Sequence, residues 1–219
     1  MWLFGWLQPD LGTMLVLAVG WLTVFLPQIS RKVLGVVVLL ILVMSPLIWL
    51  LLRDYQKDRL ITWVDPYTDP LGRGYQVIQS TIAVGSGQFW GKGLGQGTQS
   101  QLQFLPERQT DFMFATLAEE LGFVGAATVI ALFSWLFVRI YYLARQTSSL
   151  PANFFCLGVL AMLAFQVFIN VGMNMGLAPV TGITLPFLSY GGSSLVSLGI
   201  TLGLLISVSR QSRSLKIAD

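Results

Sequence analysis

Three kinds of residue are missing or scarce in this 219-residue chain, and each scarcity excludes a class of function. Histidine is absent, which excludes an imidazole metal ligand and a histidine general base. The single cysteine, Cys156, cannot form an intrachain disulfide, and its place at the start of an apolar run predicts a packing role. Charged residues make up only 11% of the chain, well below the share in a soluble domain.

What the chain has instead is apolar sequence. Hydrophobic residues make up 54% of it, and its mean hydropathy is +0.71. With runs of about 20 apolar residues, this composition predicts an all-α polytopic membrane protein with about five transmembrane helices. The predicted spans lie near residues 11–28, 33–52, 112–138, 154–175 and 193–209 of one membrane domain, 1–219. Residues 1–10 turn polar too early for a span or a signal peptide, so we expect the C-terminal part of a longer protein.

Basic residues predict the orientation of these spans. They cluster in short segments on one side of the predicted helices: Arg31, Lys32, Arg139, Arg145, Arg210, Arg213 and Lys216. The positive-inside rule places those segments and the C-terminus in the cytoplasm. The loop 53–111 and a second loop, 176–192, are then extracytoplasmic.

Both of these loops have features of functional segments. The loop 53–111 is too long for a simple connection and is rich in glycine, and its stretch Tyr75–Gly87 has the pattern of a short helix at the membrane interface. The loop 176–192 contains Pro179, Pro186 and two adjacent glycines. Non-helical backbone of this kind is tolerated in a membrane protein where it lines a cavity or is buried in protein.

The stretch LPERQTDFMFATLAEELG, residues 105–122, concentrates acids where the first loop enters an apolar helix. Thr110 is a candidate cap for a helix that starts at Asp111. In one interpretation, Asp111 is a charge in the first helical turn that the helix dipole stabilises. The other makes it a carboxylate at the rim between water and lipid, where partial desolvation raises its basicity and allows it to accept a proton from a hydroxyl.

Other polar residues have two interpretations each. Helical geometry places Glu119 about 12 Å below Asp111 and within about 80° of its direction, with Glu120 opposite; we expect Glu120 to pair with a basic group of a neighbouring helix. The polar stripe Gln166, Asn170 and Asn174 is explained most simply by hydrogen bonds between helices, and less simply by a substrate groove. Lys92, among glycines, is either a phosphate contact or part of a flexible interfacial loop.

Four separated motifs occur in order along the chain: QPDLGT, DPYTDPLGRGYQVIQSTIAVGSG, GKGLGQGTQSQLQFLPERQTDFMFATLAEELG and PVTGITLPFLSYGGSS. Together they resemble the C-terminal half of the SEDS family, and its elongation branch more than its division branch. The resemblance covers nearly the whole chain. It departs from the family pattern at Gln109, where many relatives have histidine.

The resemblance implies a peptidoglycan glycosyltransferase that polymerises lipid II on the outer face of the bacterial cytoplasmic membrane during cell elongation. The implied partners are a class B penicillin-binding transpeptidase and other elongation-complex proteins, with no nucleic acid. The family's essential acid matches Asp111, and the acid of QPDLGT, Asp10, is also functionally important in relatives. The substrate contacts that we expect are Asp10, Lys92, Glu107, Arg108, Ser189, Gly191 and Gly192. Lys92, Arg108 or a divalent cation, Mg²⁺ or Mn²⁺, would offset the charge of the substrate pyrophosphate.

Two alternatives belong to other classes. A lipid II flippase would also have polar spans and extracytoplasmic cations, but it would move the lipid without making glycan. A non-catalytic remnant would fold poorly or only dock a partner.

Overall fold

The computed structural model describes residues 11–52, 54–72, 74–101, 105, 109–147 and 149–217, and it has no β-strand in these ranges. Two short 3-10 helices, Leu26–Gln28 and Pro66–Thr68, accompany the α-helices. The α-helices of the described ranges are α1 Leu11–Phe25, α2 Arg31–Leu51, α3 Asp54–Val64, α4 Tyr75–Ser86, α5 Thr98–Gln101, α6 Met113–Gln146, α7 Leu150–Asn174 and α8 Gly192–Ile217.

The long apolar helices confirm the predicted class, an all-α polytopic membrane protein. In the described part of the chain, α6, α7 and the Gly192–Arg210 part of α8 are long and apolar enough to cross a bilayer. α1 and α2 contain shorter apolar stretches, Gly12–Gln28 and Lys32–Ser45. Large apolar side chains along these helices are exposed, as expected for surfaces that face lipid.

Small residues bring α1 close to α7. A side chain added at Gly20 would meet Met162 at 2.7 Å, and one added at Gly158 would meet Val24 at 3.6 Å. Close approach at small residues is a common way for helices to associate in membranes. Because Val24 lies near the end of α1 and Gly158 near the start of α7, the two helices are antiparallel, as the predicted topology requires.

A buried apolar cluster joins α6, α7 and α8 at the end far from Asp111. It contains Ile140, Ala144, Cys156, Val159, Leu163 and Leu205. Cys156 is fully buried, which confirms its predicted packing role. A second cluster, Phe114, Phe133, Val167 and Leu185, joins α6 and α7 to the 176–191 segment near Asp111. We call the end of the helices near this second cluster the Asp111 end.

α4, predicted as a helix, packs against α6 with one face. Its buried residues are Val77, Ser80 and Ala83, and Ala83 belongs to a cluster with Leu105, Phe112 and Ala115. The buried Ser80 hydroxyl donates to the carbonyl of Val77 within the same helix, at 3.0 Å, so its burial leaves no orphaned donor. The α4 part of the 53–111 loop is therefore folded onto α6.

The predicted start of α6 was wrong by two residues. The helix begins at Met113, its N-cap residue is Phe112, and no side chain caps it, so Thr110 does not have the predicted capping role. The physical reason is that residues 109–112 form a turn, which other segments hold by hydrogen bonds. This turn carries Asp111.

α6 is broken two turns further on. Gly122 has φ +65° and ψ −164°, far from helical values. The amides and carbonyls freed by the break bond to the loop that follows α4. Four main-chain hydrogen bonds replace the helical ones: Phe123 N to Gln88 O at 2.8 Å, Val124 N to Phe89 O at 3.2 Å, Lys92 N to Glu119 O at 3.0 Å and Gly93 N to Glu120 O at 3.0 Å.

Two glycines make this contact possible. Gly91, at φ +80°, and Gly122 lie backbone to backbone. A Cβ at Gly91 would collide with the carbonyl oxygen of Glu120, and a Cβ at Gly122 would collide with the amide nitrogen of Gly91. Other residues would also be strained at these positive φ values. We call this contact the glycine joint.

Candidate functional site

Asp111 is held by its own main chain. Its carbonyl oxygen accepts hydrogen bonds from the side-chain amides of Asn170, at 3.0 Å, and Asn174, at 3.1 Å. Both asparagines are fully buried on one face of α7. The prediction that this polar stripe makes hydrogen bonds between helices is confirmed for Asn174, whose Oδ1 accepts from Ala115 of α6. The third member of the stripe, Gln166, is half-buried.

The two asparagines also fix the segments on either side of Asp111. Asn174 Oδ1 accepts from the amide of Ala115 in the first turn of α6, at 3.0 Å. Asn170 Nδ2 donates to the carbonyl of Ile183 at 2.7 Å. One pair of side chains therefore connects α7 to the start of α6 and to the 176–191 segment. Because these amides are buried, losing any one would orphan its partners.

Ser189 ties the 176–191 segment directly to the turn that carries Asp111. Its hydroxyl donates to the carbonyl of Thr110 at 2.6 Å and accepts from the amide of Leu185 at 2.8 Å. The amide of Tyr190 adds a bond to the carbonyl of Gln109 at 2.8 Å. We call Asn170, Asn174 and Ser189 the amide clamp, since each holds a main-chain group near Asp111.

The carboxylate of Asp111 lies beside Gly182. A Cβ at Gly182 would lie 3.7 Å from Asp111 Oδ2, and Gly182 has φ +75°. Gly182 is exposed and Asp111 is half-buried. A Cβ there would be in ordinary van der Waals contact with the carboxylate, so the glycine leaves the space beside Asp111 open. This residue was missed from the sequence, where it is one of 22 glycines.

A cavity lies next to this segment. Its volume is about 280 Å³, and its lining residues are Asp58, Arg59, Thr62, Trp63, Gln76, Val77 and Val180. Val180 comes two residues before Gly182, so the cavity opens close to the Asp111 site. A tryptophan face with carboxylate, guanidinium and amide groups has the chemistry to bind a polar sugar ring.

Expected at Glu120, the ion pair of this region is formed, among the described residues, by Glu119. Its side chain is fully buried, and Glu119 Oε1 lies 2.8 Å from Lys92 Nζ. The same oxygen accepts from the amide of Gln99 at 3.0 Å and from the hydroxyl of Thr98 at 3.2 Å. Lys92 Nζ also donates to Thr98 Oγ1 at 2.8 Å. This cluster joins α6 to the segment that leads from the loop to α5.

The remaining predicted substrate contacts divide into two groups. Asp10, Glu107 and Arg108 lie outside the described residues. Ser189 is buried in the amide clamp, and the Lys92 side chain, 28% exposed, lies against Glu119, so for these two the structure shows a structural contact. Gly191 is half-buried and Gly192, the first residue of α8, is exposed. Binding by any of these seven residues stays a prediction.

The described residues do not form a metal site on their own. They contain no group of three or more aspartate, glutamate, histidine or cysteine residues placed to share an ion. Asp111 contributes one carboxylate, and the buried Glu119 is engaged by Lys92.

Comparison with known proteins gives one consistent set of matches. A family model for FtsW, RodA and SpoVE, described as a cell cycle protein family, matches residues 1–214. The chain is 45% identical over 203 residues to the peptidoglycan glycosyltransferase MrdB of Escherichia coli, covering 92% of this chain and 55% of that protein. It is 46% identical over 207 residues to stage V sporulation protein E of Bacillus subtilis, covering 94% and 56%.

A third relative and a solved structure agree with these. The chain is 43% identical over 211 residues to a probable peptidoglycan glycosyltransferase FtsW of Nitrosomonas europaea, covering 94% of this chain and 54% of that protein. It also matches a chain of a peptidoglycan synthase complex, solved to show how polymerisation and crosslinking are coordinated. That match has a TM-score of 0.73 at 40% identity, and covers 95% of this chain and 58% of that one. The chain spans about half the length of the curated relatives it matches.

Proposed function

This chain belongs to the FtsW/RodA/SpoVE family, the SEDS family that its motifs resemble, and from that premise we propose that it carries the catalytic site of a peptidoglycan glycosyltransferase. The substrate is lipid II, a disaccharide-pentapeptide linked to undecaprenyl pyrophosphate. The E. coli MrdB, the sporulation protein and the FtsW protein are all 43–46% identical to this chain. Sequence identity therefore does not separate the branches of the family. The motifs favour the elongation branch.

In the proposed reaction, the 4-hydroxyl of an acceptor sugar attacks the anomeric carbon of a donor. The new glycosidic C–O bond forms as the bond to the pyrophosphate oxygen breaks, and undecaprenyl pyrophosphate leaves with the electron pair. The hydroxyl proton passes to the Asp111 carboxylate, which acts as the general base and contributes about 10²–10⁴-fold to the rate. Attack opposite the leaving group inverts the anomeric centre, so an α-linked donor gives a β-1,4 link.

The observation that carries this proposal is the position of Asp111. Its main chain is fixed by the amide clamp, while its carboxylate lies beside the exposed Gly182. A base that is fixed in place and reachable from outside has the geometry that proton abstraction needs.

The place of Asp111 in the helix bundle supports the same substrate. Phe114 and Phe133 share one buried cluster, although a straight helix would hold them about 28 Å apart, so the break at Gly122 turns the first segment of α6 back toward α7. Asn170 and Asn174 accordingly hold the Asp111 carbonyl at the last turns of α7. Asp111 is therefore level with the end of α7, at the proposed extracytoplasmic face, where the sugar of a lipid-linked saccharide would be.

Positive groups are needed where the pyrophosphate leaves. Arg59, in the cavity beside Val180, is a described cation near the site. Lys92 and Arg108 stay predicted contacts, as do Asp10, Glu107, Ser189, Gly191 and Gly192. A bound Mg²⁺ or Mn²⁺ would offset the same charge.

Orientation and partners follow from the same proposal. The Asp111 end faces outside and the C-terminus is cytoplasmic, because Arg139, Arg145 and Arg210 lie at the opposite end. The membrane is the bacterial cytoplasmic membrane. The match to a peptidoglycan synthase complex supports a class B penicillin-binding transpeptidase as the partner.

The test is the Asp111→Asn variant of the whole protein, reconstituted with lipid II and its transpeptidase. We expect glycan polymer on a gel to disappear, while Asp69→Asn, which changes an exposed acid that does not line the cavity, retains activity. Polymer made by Asp111→Asn at the wild-type rate would refute the assignment.

The flippase alternative makes a different prediction in vesicles. If the protein is a flippase, lipid II crosses the bilayer without glycan being formed. The polymer yield is then zero for the wild type and for Asp111→Asn alike. Scoring translocation and polymer in one preparation separates the two functions. A protein that does neither would be the non-catalytic remnant.

A further inference from the structure

We propose that the loop Gly87–Gly95, docked at the glycine joint, is inserted into the bilayer interface at the Asp111 end and contacts lipid through its apolar side chains. The exposed fractions of these side chains are 54% for Phe89, 77% for Trp90 and 75% for Leu94. Phe123 of α6, 62% exposed, stacks against Phe89 with ring centroids 5.8 Å apart. We call these four residues the loop patch.

The position of the joint along α6 corresponds to a membrane boundary. The uncharged stretch of α6 begins at Leu121 and ends at Val138, just before Arg139. Gly122 therefore lies near one end of a stretch about 27 Å long, and Arg139 lies beyond the other end. Tryptophan is enriched at this depth, where an apolar ring and a polar N–H can both be satisfied.

The main chain of the loop is suited to this environment. Irregular backbone is costly in lipid because its N–H and C=O groups lack water as a partner. Here the loop makes four main-chain hydrogen bonds to α6. Main-chain groups on both sides of the glycine joint therefore have partners. Within the loop, Gly91 N donates to Gly87 O at 2.8 Å and Gln96 N donates to Gly93 O at 3.1 Å. The break in α6 thus supplies the partners that water would otherwise provide.

The charge of the loop is also neutralised. Lys92 is the single charged residue between Gly85 and Gly97. Its ammonium is paired with Glu119, which is fully buried, and donates to Thr98. An unpaired ammonium would hold the loop in water, whereas a paired one allows the loop to enter the interface.

A protein partner fits the loop patch less well than lipid. A protein interface would be expected to mix apolar groups with a polar rim that can form hydrogen bonds. The loop patch instead adjoins an exposed apolar face of α6, because Phe123 shares a helix face with Ile130, which is 42% exposed. The observations therefore favour the bilayer as the occupant.

Another exposed leucine of the same 53–111 loop provides a matched comparison. Leu71 is 91% exposed, but it lies close to two acids, Asp65 and Asp69, whose side chains accept local main-chain hydrogen bonds. No helix break supplies partners for its segment among the described residues. We expect Leu71 to face water and Leu94 to face lipid.

The experiment places a spin label at each leucine in turn. Cys156 is the single cysteine of these 219 residues and is buried, so Cys156→Ala, together with alanine at any cysteine elsewhere in the whole protein, gives a background in which Leu94→Cys or Leu71→Cys can be labelled alone. Collision rates with oxygen, which partitions into lipid, and with a water-soluble nickel chelate are measured on the whole protein in phospholipid vesicles. Trp90→Cys is a second position for the lipid side.

The expected result is a several-fold higher ratio of oxygen to nickel collisions at positions 94 and 90 than at position 71. Equal ratios at the three positions would overturn the proposal, because the loop would then lie in water. Protection of positions 94 and 90 from both reagents would also overturn it, because protein rather than lipid would then cover the loop patch.

A second arm tests the role of the ion pair. Glu119→Gln leaves the Lys92 ammonium without its counter-charge, so the oxygen-to-nickel ratio at position 94 should fall toward that of position 71. The double variant Lys92→Met with Glu119→Gln removes both charges and should restore it. An unchanged ratio in Glu119→Gln would overturn the assignment of charge neutralisation to this pair. Neither arm requires glycan synthesis, so its result is independent of the proposed function.

Discussion

The first segment of α6, Met113–Leu121, is held at both ends, but by different kinds of bond. At the Asp111 end, the amide clamp uses side chains of α7 and the 176–191 segment to hold main-chain groups. At the other end, the glycine joint uses main chain against main chain, with one buried ion pair beside it.

This difference separates two tasks. The amide clamp fixes the main chain at the proposed base, so its loss should displace Asp111. The glycine joint fixes a loop about two turns away, so its loss should mainly affect stability and the placement of the loop. Variants at the two ends should therefore differ in the balance between stability and activity.

The largest loss of stability should come from Gly122→Ala. A Cβ at this position collides with the main chain of Gly91, and alanine is strained at φ +65°. Strain of about 1–3 kcal/mol adds to the cost of main-chain groups that lose their partners. Thermal unfolding in detergent should show a large fall in melting temperature.

The control for that variant is Gly203→Ala, since nothing lies within 4 Å of a Cβ at Gly203 on α8. Alanine favours the helix there, so the melting temperature should be unchanged or slightly higher. A Gly122→Ala protein as stable as wild type would mean that the joint is not needed for the fold.

The next largest effect should come from Lys92→Met. This variant leaves the fully buried Glu119 carboxylate without its counter-charge, a loss of about 3 kcal/mol. Glu119→Gln should cost less, because the Lys92 side chain, 28% exposed, can turn toward water. Unfolding in denaturant would compare the free energies of unfolding of the two variants. A larger loss in Glu119→Gln than in Lys92→Met would contradict the deeper burial of Glu119.

Asn174→Ala tests the amide clamp. It removes a donor to the Asp111 carbonyl and an acceptor of the Ala115 amide, so the cost should be about 1–3 kcal/mol. Because Asp111 is displaced, glycan synthesis by the folded fraction should also fall. Gln166→Ala, on the same stripe of α7 but only half-buried, should change both quantities less. Normal activity in folded Asn174→Ala would mean that the amide clamp is not needed to position the Asp111 base.

The smallest of these effects should come from Ser189→Ala, at about 1 kcal/mol. The variant deprives the Thr110 carbonyl and the Leu185 amide of a common partner. Ser207→Ala, at an exposed position on α8, is the matched control. If Ser189 is only structural, KM for lipid II should stay constant. A raised KM with unchanged stability would instead support the predicted substrate contact.

The part of the site that depends on side-chain identity could be predicted from the sequence. Asn170 and Asn174, spaced four apart in an apolar helix, indicated hydrogen bonds between helices; Asn174 makes one to α6, and both asparagines hold the turn that precedes it. Asp111 stood out as an acid at the start of an apolar run. The exact start of α6 was not predictable, because partners distant in sequence hold the turn before it.

The part of the structure that depends on glycines, which have no side chain, could not be predicted from the sequence. Gly122 lies inside a helical pattern, where a single glycine usually costs little and needs no special interpretation. Its partner, Gly91, is 31 positions away in the sequence numbering. The pairing of Lys92 with Glu119 rather than Glu120 follows from the joint, which turns one face of α6 toward the loop. A spacing argument on an unbroken helix could not include that.

The clamp grips residue 111 through its peptide carbonyl, a group that every amino acid shares. These two hydrogen bonds therefore do not depend on the side chain at this position, and a substitution there can keep them. A variant at position 111 should keep the shape of the native cleft. Such an inert form would be suited to capturing the lipid-linked sugar for direct visualisation.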